Sequence, residues 1–475
     1  MNVRLVLATP PVDAAERYGP FAGAGSTEPS FGLACLAAVA RQAGATVAVV
    51  EASALELSPE AALRTILAAD PTIVGLTATT SGVMRAAQLA AALKAARPGV
   101  LAVLGGCHAT ALPAETLDAC PAFDMVVMGE GEETLRAILE RAAADGVCPT
   151  DLPGTAARLG GRVVVNPPRP LIDNLDALPL PAWDLLPGFP RAFHPSPARL
   201  RRWPCASVVL TRGCPNTCLF CDRSVFGNRC RGYSPARAVA LLRDLHDRFG
   251  VRELLIEDDT FVIAKTRVRE FCERLIAEGP AVSWSCLGRA DRVDPELLRL
   301  MRRAGCWHIA YGIESGDPAL LEAMHKRLDL EAIRQAVTWS REAGLRTKGF
   351  FMVGFPGETH ESLARTRRFA LSLPLDDISV MQMTPFPGSE LYRVAAEAGT
   401  VDRDWRRMNV VNTVFVPNGL TRDDLEQARA GLLHSFYLRP AVLWRQAAHV
   451  LAHPRLIPAM GRGVLAFRRV TGGAA

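Results

Sequence analysis

Three cysteines near the middle of the chain have the spacing of a metal-binding loop: Cys214, Cys218 and Cys221 follow one another as C-x3-C-x2-C. At this spacing, three thiolates can converge on one metal centre from a single loop. Three thiolates can hold three corners of a cubane [4Fe–4S] cluster, whose full protein ligation would need four. The fourth iron would stay open and could bind a small molecule, as a catalytic zinc ion keeps one position free for its substrate.

Two other interpretations of these cysteines are half of a zinc site and buried free thiols, which are common in protein cores. A zinc site would need a second pair of ligands, whereas the downstream sequence contains only scattered single cysteines. Cys230 is the one nearby candidate for a fourth ligand, and Cys205 precedes the loop. We therefore predict a [4Fe–4S] cluster with one open iron. Zinc without iron in anaerobically purified protein would contradict this prediction.

Bulk composition describes an ordinary globular chain: 475 residues leave room for two or three domains, with 49% hydrophobic and 22% charged residues. The net charge of +5 is mild for this length, so we expect no nucleic-acid partner. Twelve cysteines in so long a chain do not suit a small secreted disulfide scaffold, and they indicate a reducing compartment. No signal-peptide pattern and no apolar run of about 18 residues is present, so a cytoplasmic location is expected.

Residues 3–145 alternate short apolar runs with longer helix-like segments. Buried parallel strands are predicted at 3–8, 46–50, 72–76, 100–104 and 125–128. Helices are predicted between them, at 31–42, 59–69, 83–96 and 131–144. Five such units predict an α/β fold with a doubly wound parallel sheet, whose ligands bind at the carboxyl ends of the strands.

The loops at those strand ends carry small and hydroxylated residues. The loop after the third strand contains Thr77, Thr79 and Ser81, which could also be a helix N-cap. The next loop contains Gly105 and Gly106, which would allow a bulky ligand to approach the backbone closely. The remaining candidates for ligand contact are His108, Gly129 and Glu130.

A hairpin is predicted at 155–166, followed by a proline-rich segment at 167–200 that contains nine of the 34 prolines. Because proline stiffens a connector, we interpret this segment as a linker that fixes one domain over another.

Strands and helices alternate six more times between residues 206 and 385, which is too few for a closed eight-stranded barrel. Barrels place their chemistry at the carboxyl ends of the strands. Arg289, after the third strand, could pair with a carboxylate in bidentate geometry. The other candidate residues at these strand ends are Glu257, Asp258, Glu314, Ser315, Gly354 and Thr384.

The cysteine loop, followed by these segments in order, resembles the radical S-adenosylmethionine (SAM) superfamily. The resemblance implies a partial barrel in which the open iron chelates the amino and carboxylate groups of SAM, with Phe220 beside the adenine. It also implies that the Glu257-Asp258 segment grips the methionine amino group. Glu314-Ser315 would contact the ribose and amino group, Gly354 would lie in a further contact segment, and Thr384 would lie near the adenine.

The N-terminal loops resemble the cobalamin-binding domain that precedes many radical SAM domains. In that domain the hydroxyl loop and the Gly-Gly loop embrace the nucleotide tail of the cofactor. Cobalamin domains that ligate cobalt through histidine carry Asp-x-His-x-x-Gly after the first strand, and here residues 10–32 contain no histidine. The resemblance therefore implies cobalamin with dimethylbenzimidazole off the metal. His108 is either a tail contact or a loop histidine that bonds backbone groups.

The last segment, from about residue 386, is predicted to be helical. From Gln427 to Ala475 there are seven arginines and no Asp or Glu, with large apolar residues interspersed. Such a segment could lie on an anionic bilayer surface, or its apolar side could contact the barrel while its arginines remain solvated.

These patterns predict four regions: a cobalamin-binding domain at 1–150, the hairpin and linker at 151–200, a radical SAM core at 201–415 and a basic helical segment at 416–475. The leading hypothesis for function is a radical methylase that acts on a carbon of a small molecule or lipid, using a [4Fe–4S] cluster, SAM and cobalamin. An electron donor such as flavodoxin or ferredoxin is implied. Alternatives are an oxidative cyclase resembling the anaerobic magnesium-protoporphyrin enzymes, and a cofactor-binding sensor without turnover.

Overall fold

The structure is a computed structural model that describes residues 3–145, 149–196, 199–453 and 457–471. It contains two large parallel sheets, each covered by helices, and a helical C-terminal segment. Within these residues, no helix has the length and apolar character needed to cross a bilayer.

The first sheet has seven strands in the order β2-β1-β3-β4-β5-β6-β7. The first five strands are parallel, as predicted, and run nearly as continuous apolar segments. The predicted hairpin, β6 and β7, joins β5 as an antiparallel extension, so it belongs to the first domain and not to the linker. The strands are β1 Arg4–Thr9, β2 Thr46–Glu51, β3 Ile73–Thr77, β4 Leu101–Gly105, β5 Met125–Val127, β6 Thr155–Leu159 and β7 Arg162–Val165.

The four predicted helices of this domain are present, and three short helices lie in loops where none was predicted. One short helix follows β1 and two follow β4, at the carboxyl edge of the sheet where a ligand would bind. The helices are α1 Ala14–Tyr18, α2 Phe31–Gln42, α3 Pro59–Ala68, α4 Val83–Ala96, α5 Cys107–Ala111, α6 Pro113–Ala119 and α7 Gly131–Asp145.

The second sheet is an open half-barrel of six parallel strands, in the order β15-β14-β13-β12-β11-β8. The six predicted strands are confirmed, and none of their ends moves by more than two residues. A small antiparallel pair, β9 and β10, flanks the cysteine loop. The strands are β8 Cys205–Val208, β9 Thr211–Arg212, β10 Arg231–Gly232, β11 Glu253–Ile256, β12 Ser283–Gly288, β13 Cys306–Glu314, β14 Arg346–Val353 and β15 Asp377–Gln382.

Helices cover the convex face of the half-barrel, and its concave face forms a lumen towards the first domain. The helices are α8 Pro235–Phe249, α9 Lys265–Glu278, α10 Pro295–Arg303, α11 Pro318–Ala323, α12 Leu330–Glu342 and α13 His360–Ser372. The linker is anchored as predicted, because Trp183 is fully buried and stacks on Phe189 at 4.8 Å.

The C-terminal segment comprises α14 Glu390–Ala398, β16 Gly399–Val401, β17 Phe415–Pro417, α15 Arg422–Tyr437, α16 Pro440–Ala452 and α17 Ile457–Thr471. Helix α15 lies against β15, where the Tyr437 hydroxyl donates to the Ile378 carbonyl (2.8 Å). Helix α17 lies against residues 19–24 of the first domain. Of the seven arginines noted in the sequence, Arg455 lies outside the described residues.

Candidate active site

The cysteine loop leaves β9 through a glycine that no other residue could replace without strain. Gly213 has φ +84°, and a Cβ there would lie 2.5 Å from the Arg229 carbonyl oxygen. The backbone ahead of the loop is held by Asp258, which accepts hydrogen bonds from the Leu210 N–H and the Thr211 hydroxyl, both at 2.6 Å. The loop therefore starts from a rigid point at the carboxyl end of the half-barrel.

The three thiols of the loop form one group. Cys218 is buried, and Cys214 accepts a hydrogen bond from the Asn216 amide at 3.0 Å. Burial, together with nearby Asp259, Cys218 and Cys214, raises the pKa of the Cys221 thiol to about 12. Because a cluster ligand must be a thiolate, cluster assembly at this loop releases protons.

The three thiols are the donors that this loop offers to a metal centre. No group of three or more His, Cys, Asp or Glu side chains in the described part of the chain is placed to hold a single metal ion. Cys230, the nearby candidate for a fourth ligand, already has partners in the protein, because its thiol hydrogen-bonds with Thr211 and Arg267. The donor set therefore fits a cubane cluster with one open iron.

A strained acidic residue, Glu314, lies near the Cys218 thiol. Glu314 has φ +66°, where a residue other than glycine is uncommon, and β13 shifts its register with β14 at this point. Its carboxylate forms an ion pair with Lys326 at 2.7 Å, and the Lys326 ammonium lies 5.8 Å from the centre of the Phe220 ring. Local strain of this kind clusters at ligand sites.

Arg289 occupies the end of β12, as predicted, but its guanidinium pairs with Asp291 of its own loop at 2.9 Å. It also donates to the Lys326 carbonyl at 2.8 Å. These contacts fix Arg289 beside the Lys326–Glu314 pair.

Three of the predicted SAM contacts have side chains that already have partners within the protein, and their contacts with SAM stay predictions. Asp258 is fully buried beneath the cysteine loop. The Ser315 hydroxyl bonds to Thr366 (3.0 Å), and the Thr384 hydroxyl donates to the Asn409 carbonyl (2.9 Å). The neighbouring Asp259 carboxylate is exposed, and its negative charge adds to the burial that raises the pKa of Cys221.

Gly354, with φ +94°, begins the loop after β14, and Glu358 closes that loop. The Glu358 carboxylate accepts hydrogen bonds from the N–H groups of Gly354 (2.6 Å) and Phe355 (3.3 Å). Burial raises the pKa of Glu358 to about 7, against 4.5 for a free glutamate.

The wild type should lose stability relative to Glu358→Gln as the pH rises from about 5 to about 8. Below pH 4.5 both folded and unfolded chains hold the proton. Between 4.5 and 7 only the folded chain holds it, so rising pH favours unfolding by about 3 kcal/mol in total. Denaturant unfolding of both proteins across this range measures the difference. A difference that does not change with pH would contradict the raised pKa.

The predicted cobalamin loops meet at the carboxyl edge of the first sheet. Thr77 and Gly105 are neighbours on β3 and β4, and a Cβ on Gly106 would lie 2.7 Å from the Ala78 carbonyl oxygen. Thr79 is exposed, and its hydroxyl lies 3.4 Å from that of Ser81. This small, hydroxylated edge fits the nucleotide tail of a cobalamin.

His108 lies beneath that edge and is almost completely buried. Its Nδ1 lies 3.3 Å from the Thr80 hydroxyl, and its ring meets Trp405 edge-on at 4.5 Å. Burial lowers the pKa of His108 to about 4, so the ring is neutral. Its Nε2 is buried without a hydrogen-bond partner, which leaves one polar atom free for a ligand.

A buried ion-pair network joins the two domains next to the cysteine loop. Arg212 donates to Glu130 (2.8 Å) and Glu132 (2.5 Å), and Arg231 donates to Glu130 (2.9 Å). All four side chains are at most 6% exposed. The Glu130 carboxylate, predicted to contact cobalamin, is therefore occupied by protein donors, and we assign it to the domain interface. Gly129, with φ +72°, lies beside it near the Val225 carbonyl.

The lumen contains polar residues that were not identified from the sequence. Ser207, Ser285 and His308 lie in one row across the sheet, and Ser207 donates to Glu28 of the first domain at 3.0 Å. Neither ring nitrogen of His308 has a hydrogen-bond partner. Burial, with nearby Arg199 and Lys348, holds the pKa of His308 well below its usual range. Polar residues within otherwise apolar buried strands were the available signal.

Glu257, after β11, pairs with Arg199 from the linker and also lies near Glu28. The Glu257 carboxylate is predicted to bind the SAM amino group. It also belongs to a network of three charged residues, Glu28, Arg199 and Glu257, that closes the lumen.

The fold and these loops define a class of enzyme: a SAM-dependent half-barrel preceded by a cobalamin domain. Residues 208–370 match the radical SAM superfamily and residues 21–139 match the B12 binding domain. The chain belongs to the radical SAM superfamily, among members with an N-terminal B12-binding domain. The predicted class, fold and cofactor types are thereby confirmed.

Among curated proteins, the chain is 33% identical to an uncharacterized methyltransferase, PH0819, of Pyrococcus horikoshii, over 93% of this chain and 94% of the relative. It is 30% identical to the anaerobic magnesium-protoporphyrin IX monomethyl ester cyclase of Cereibacter sphaeroides, over 89% and 69% of the two chains. Among solved structures, the radical SAM methyltransferase TsrM of Kitasatospora setae, with cobalamin and a [4Fe–4S] cluster bound, has the same fold. Its TM-score is 0.74 at 17% identity, over 100% of both chains.

Proposed function

We propose that the protein is a cobalamin-dependent radical SAM methylase that methylates an unactivated carbon of a small molecule or lipid. The observation that carries this proposal is the meeting of the two cofactor loops. Burial raises the pKa of Cys107, which directly follows Gly106, and the charge of Asp222 in the cysteine loop raises it as well; Gly129 lies near Val225. Ligands bound at the two edges would therefore face one shared cavity.

The proposal assigns the cluster to Cys214, Cys218 and Cys221. Asp259 would bind the methionine amino group, with Arg289 and the Lys326–Glu314 pair at the carboxylate and ribose, and Phe220 would contact the adenine. The tail of cobalamin would contact a set of small residues and one histidine: Thr77, Thr79, Ser81, Gly105, Gly106, His108 and the backbone of Gly129.

When bound, the cluster supplies an electron that cleaves SAM to a 5′-deoxyadenosyl radical, and cobalamin supplies the methyl group. The chain itself positions and shields the reactants. The buried network of Arg212, Glu130 and Arg231 holds the domains together over the cavity. Glu28, Arg199 and Glu257 close the lumen beneath, which excludes water from a radical.

An oxidative cyclase that uses the same cofactors without methyl transfer is the second candidate. The similarity to the magnesium-protoporphyrin cyclase over 89% of the chain favours it. Against it stands the higher identity, over nearly the whole of both chains, to the Pyrococcus methyltransferase.

Deuterated SAM distinguishes the two functions. The reconstituted protein would be incubated with SAM carrying a CD3 group, a low-potential reductant and an extract of small molecules and lipids. We expect a product that carries the CD3 group, with S-adenosylhomocysteine and 5′-deoxyadenosine in equal amounts. An oxidised product without label would instead assign the cyclase reaction.

The proposal includes two partners besides the substrate. A flavodoxin or ferredoxin would supply electrons to the cluster, because SAM cleavage requires a low-potential donor. The C-terminal segment would make a peripheral contact with a membrane, which its seven arginines and absence of acidic residues support.

A further inference from the structure

We infer that helix α16 and the cavity at its C-terminal end form a docking surface for an anionic phospholipid bilayer. The inference deepens the proposed membrane contact and rests on it, but not on the chemistry of the two cofactors. It assigns the apolar face of α16 to the acyl region and the cavity to phosphate headgroups.

Helix α16 directs polar side chains towards the protein and apolar side chains towards solvent, the reverse of an ordinary surface helix. The residues that face the half-barrel include Arg445, Gln446 and His449. The exposed residues are all apolar: Pro440, Ala441, Leu443, Trp444, Ala447, Ala448, Leu451 and Ala452. Trp444 is 72% exposed and Leu451 is 73% exposed. A helix that faced only water would place its apolar stripe inwards.

Polar contacts fix this orientation. Arg445 donates to the Leu375 carbonyl at 2.8 Å, and Gln446 donates to the Asp376 carbonyl at 2.7 Å. The ring of His449 stacks on Trp307 with centroids 5.7 Å apart. The helix cannot rotate its apolar face inwards without breaking these contacts, so the face remains available for a partner.

A basic cavity of about 770 Å³ begins where α16 ends, at Ala452 and His453. Arg191, Arg201, Arg202 and Arg252 line it, together with Trp203 and His453. Within the described residues, none of these four arginines forms an ion pair with a carboxylate. Burial lowers the pKa of Arg201, and Arg302 and Arg202 lower it further. A bound phosphate would relieve this repulsion, since guanidinium groups bind phosphate in bidentate geometry.

An anionic bilayer would suit both the apolar face of α16 and the basic cavity at its end. It offers an acyl layer for Leu443, Trp444 and Leu451 and phosphates for the arginines, and tryptophan is enriched at membrane interfaces. A second copy of the chain suits them less well. A symmetric contact would bring together two segments that contain no Asp or Glu from residue 427 onwards.

Vesicle flotation tests the inference on the full-length, cofactor-reconstituted protein. We expect flotation with phosphatidylcholine–phosphatidylglycerol vesicles but not with phosphatidylcholine alone. Leu443→Glu combined with Trp444→Glu should weaken partitioning by more than about tenfold, because two apolar side chains leave the acyl region. Arg201→Gln and Arg252→Gln should each weaken it by about fivefold.

Matched variants on another face provide controls. Ile276 of α9 is 50% exposed and Arg299 of α10 is exposed, so Ile276→Glu and Arg299→Gln should float as the wild type does. Cleavage of SAM without lipid, measured for every variant, shows separately whether the proposed chemistry holds. Wild-type protein that cleaves SAM but does not float with anionic vesicles would overturn the inference. Flotation unchanged by the α16 variants, or a dimer that Trp444→Glu dissociates, would overturn it as well.

Discussion

Cys218→Ala is expected to abolish both the iron–sulfur cluster and the cleavage of SAM. Cys218 is the most buried of the three thiols, and Cys214 and Cys221 alone would leave two corners of a cubane without protein ligands. Iron and sulfide analysis of anaerobically reconstituted protein, together with the yield of 5′-deoxyadenosine, measures the effect. The other two cysteines should behave in the same way.

Cys230→Ala is the matched control for this prediction. Its thiol lies only a few residues away but hydrogen-bonds with Thr211 and Arg267. The variant should retain iron, sulfide and SAM cleavage at wild-type levels. Loss of the cluster in Cys230→Ala would mean that the loop has four thiolate ligands and no open iron.

Glu130→Ala should destabilise the protein by about 3–5 kcal/mol, because it leaves Arg231 charged, buried and without a carboxylate, and it leaves Arg212 paired with Glu132 alone. The expected effect is large since Glu130 is the carboxylate that both arginines share. Arg212 directly precedes Gly213, so the position of the cysteine loop should change as well. The free energy of unfolding from denaturant titration measures the destabilisation.

Glu133→Ala, three residues further along in α7, provides the comparison. Glu133 is 39% exposed and pairs with Arg136 at 3.6 Å, so its loss should cost less than about 1 kcal/mol. Equal, small effects of the two substitutions would show that the network between the domains is not closed in solution.

Much of the fold could be predicted because buried parallel strands are continuous apolar runs separated by amphipathic helices. The cysteine loop could be predicted because its ligands lie within eight residues of sequence. The hairpin at 155–166 was also predicted, but its addition to the first sheet was not. Pairing with β5 depends on a free sheet edge, which local sequence does not reveal.

Side-chain direction at the strand ends was less predictable. Asp258 and Asp259 are adjacent, yet one lies beneath the cysteine loop and the other faces the cleft. A shift of one residue reverses which face a side chain occupies, and several strand ends lie one or two residues from their predicted positions. The closure of the lumen by Glu28 and Arg199 could not be predicted, because these residues come from a loop and a linker without periodicity.

The orientation of helix α16 could not be predicted from local sequence either. Its sequence contains apolar and polar residues in helical spacing, and a soluble protein would normally bury the apolar set. Here contacts with Leu375 and Asp376 determine the orientation, and they come from a segment about 70 residues earlier.

The most direct test of the account is the fate of SAM in the reconstituted protein without substrate. Protein containing cluster and cobalamin would be incubated anaerobically with SAM and a low-potential reductant, and both adenosyl products would be measured. The account predicts S-adenosylhomocysteine, up to about one equivalent per bound cobalamin, together with 5′-deoxyadenosine. Formation of 5′-deoxyadenosine with no S-adenosylhomocysteine would contradict the methylase assignment.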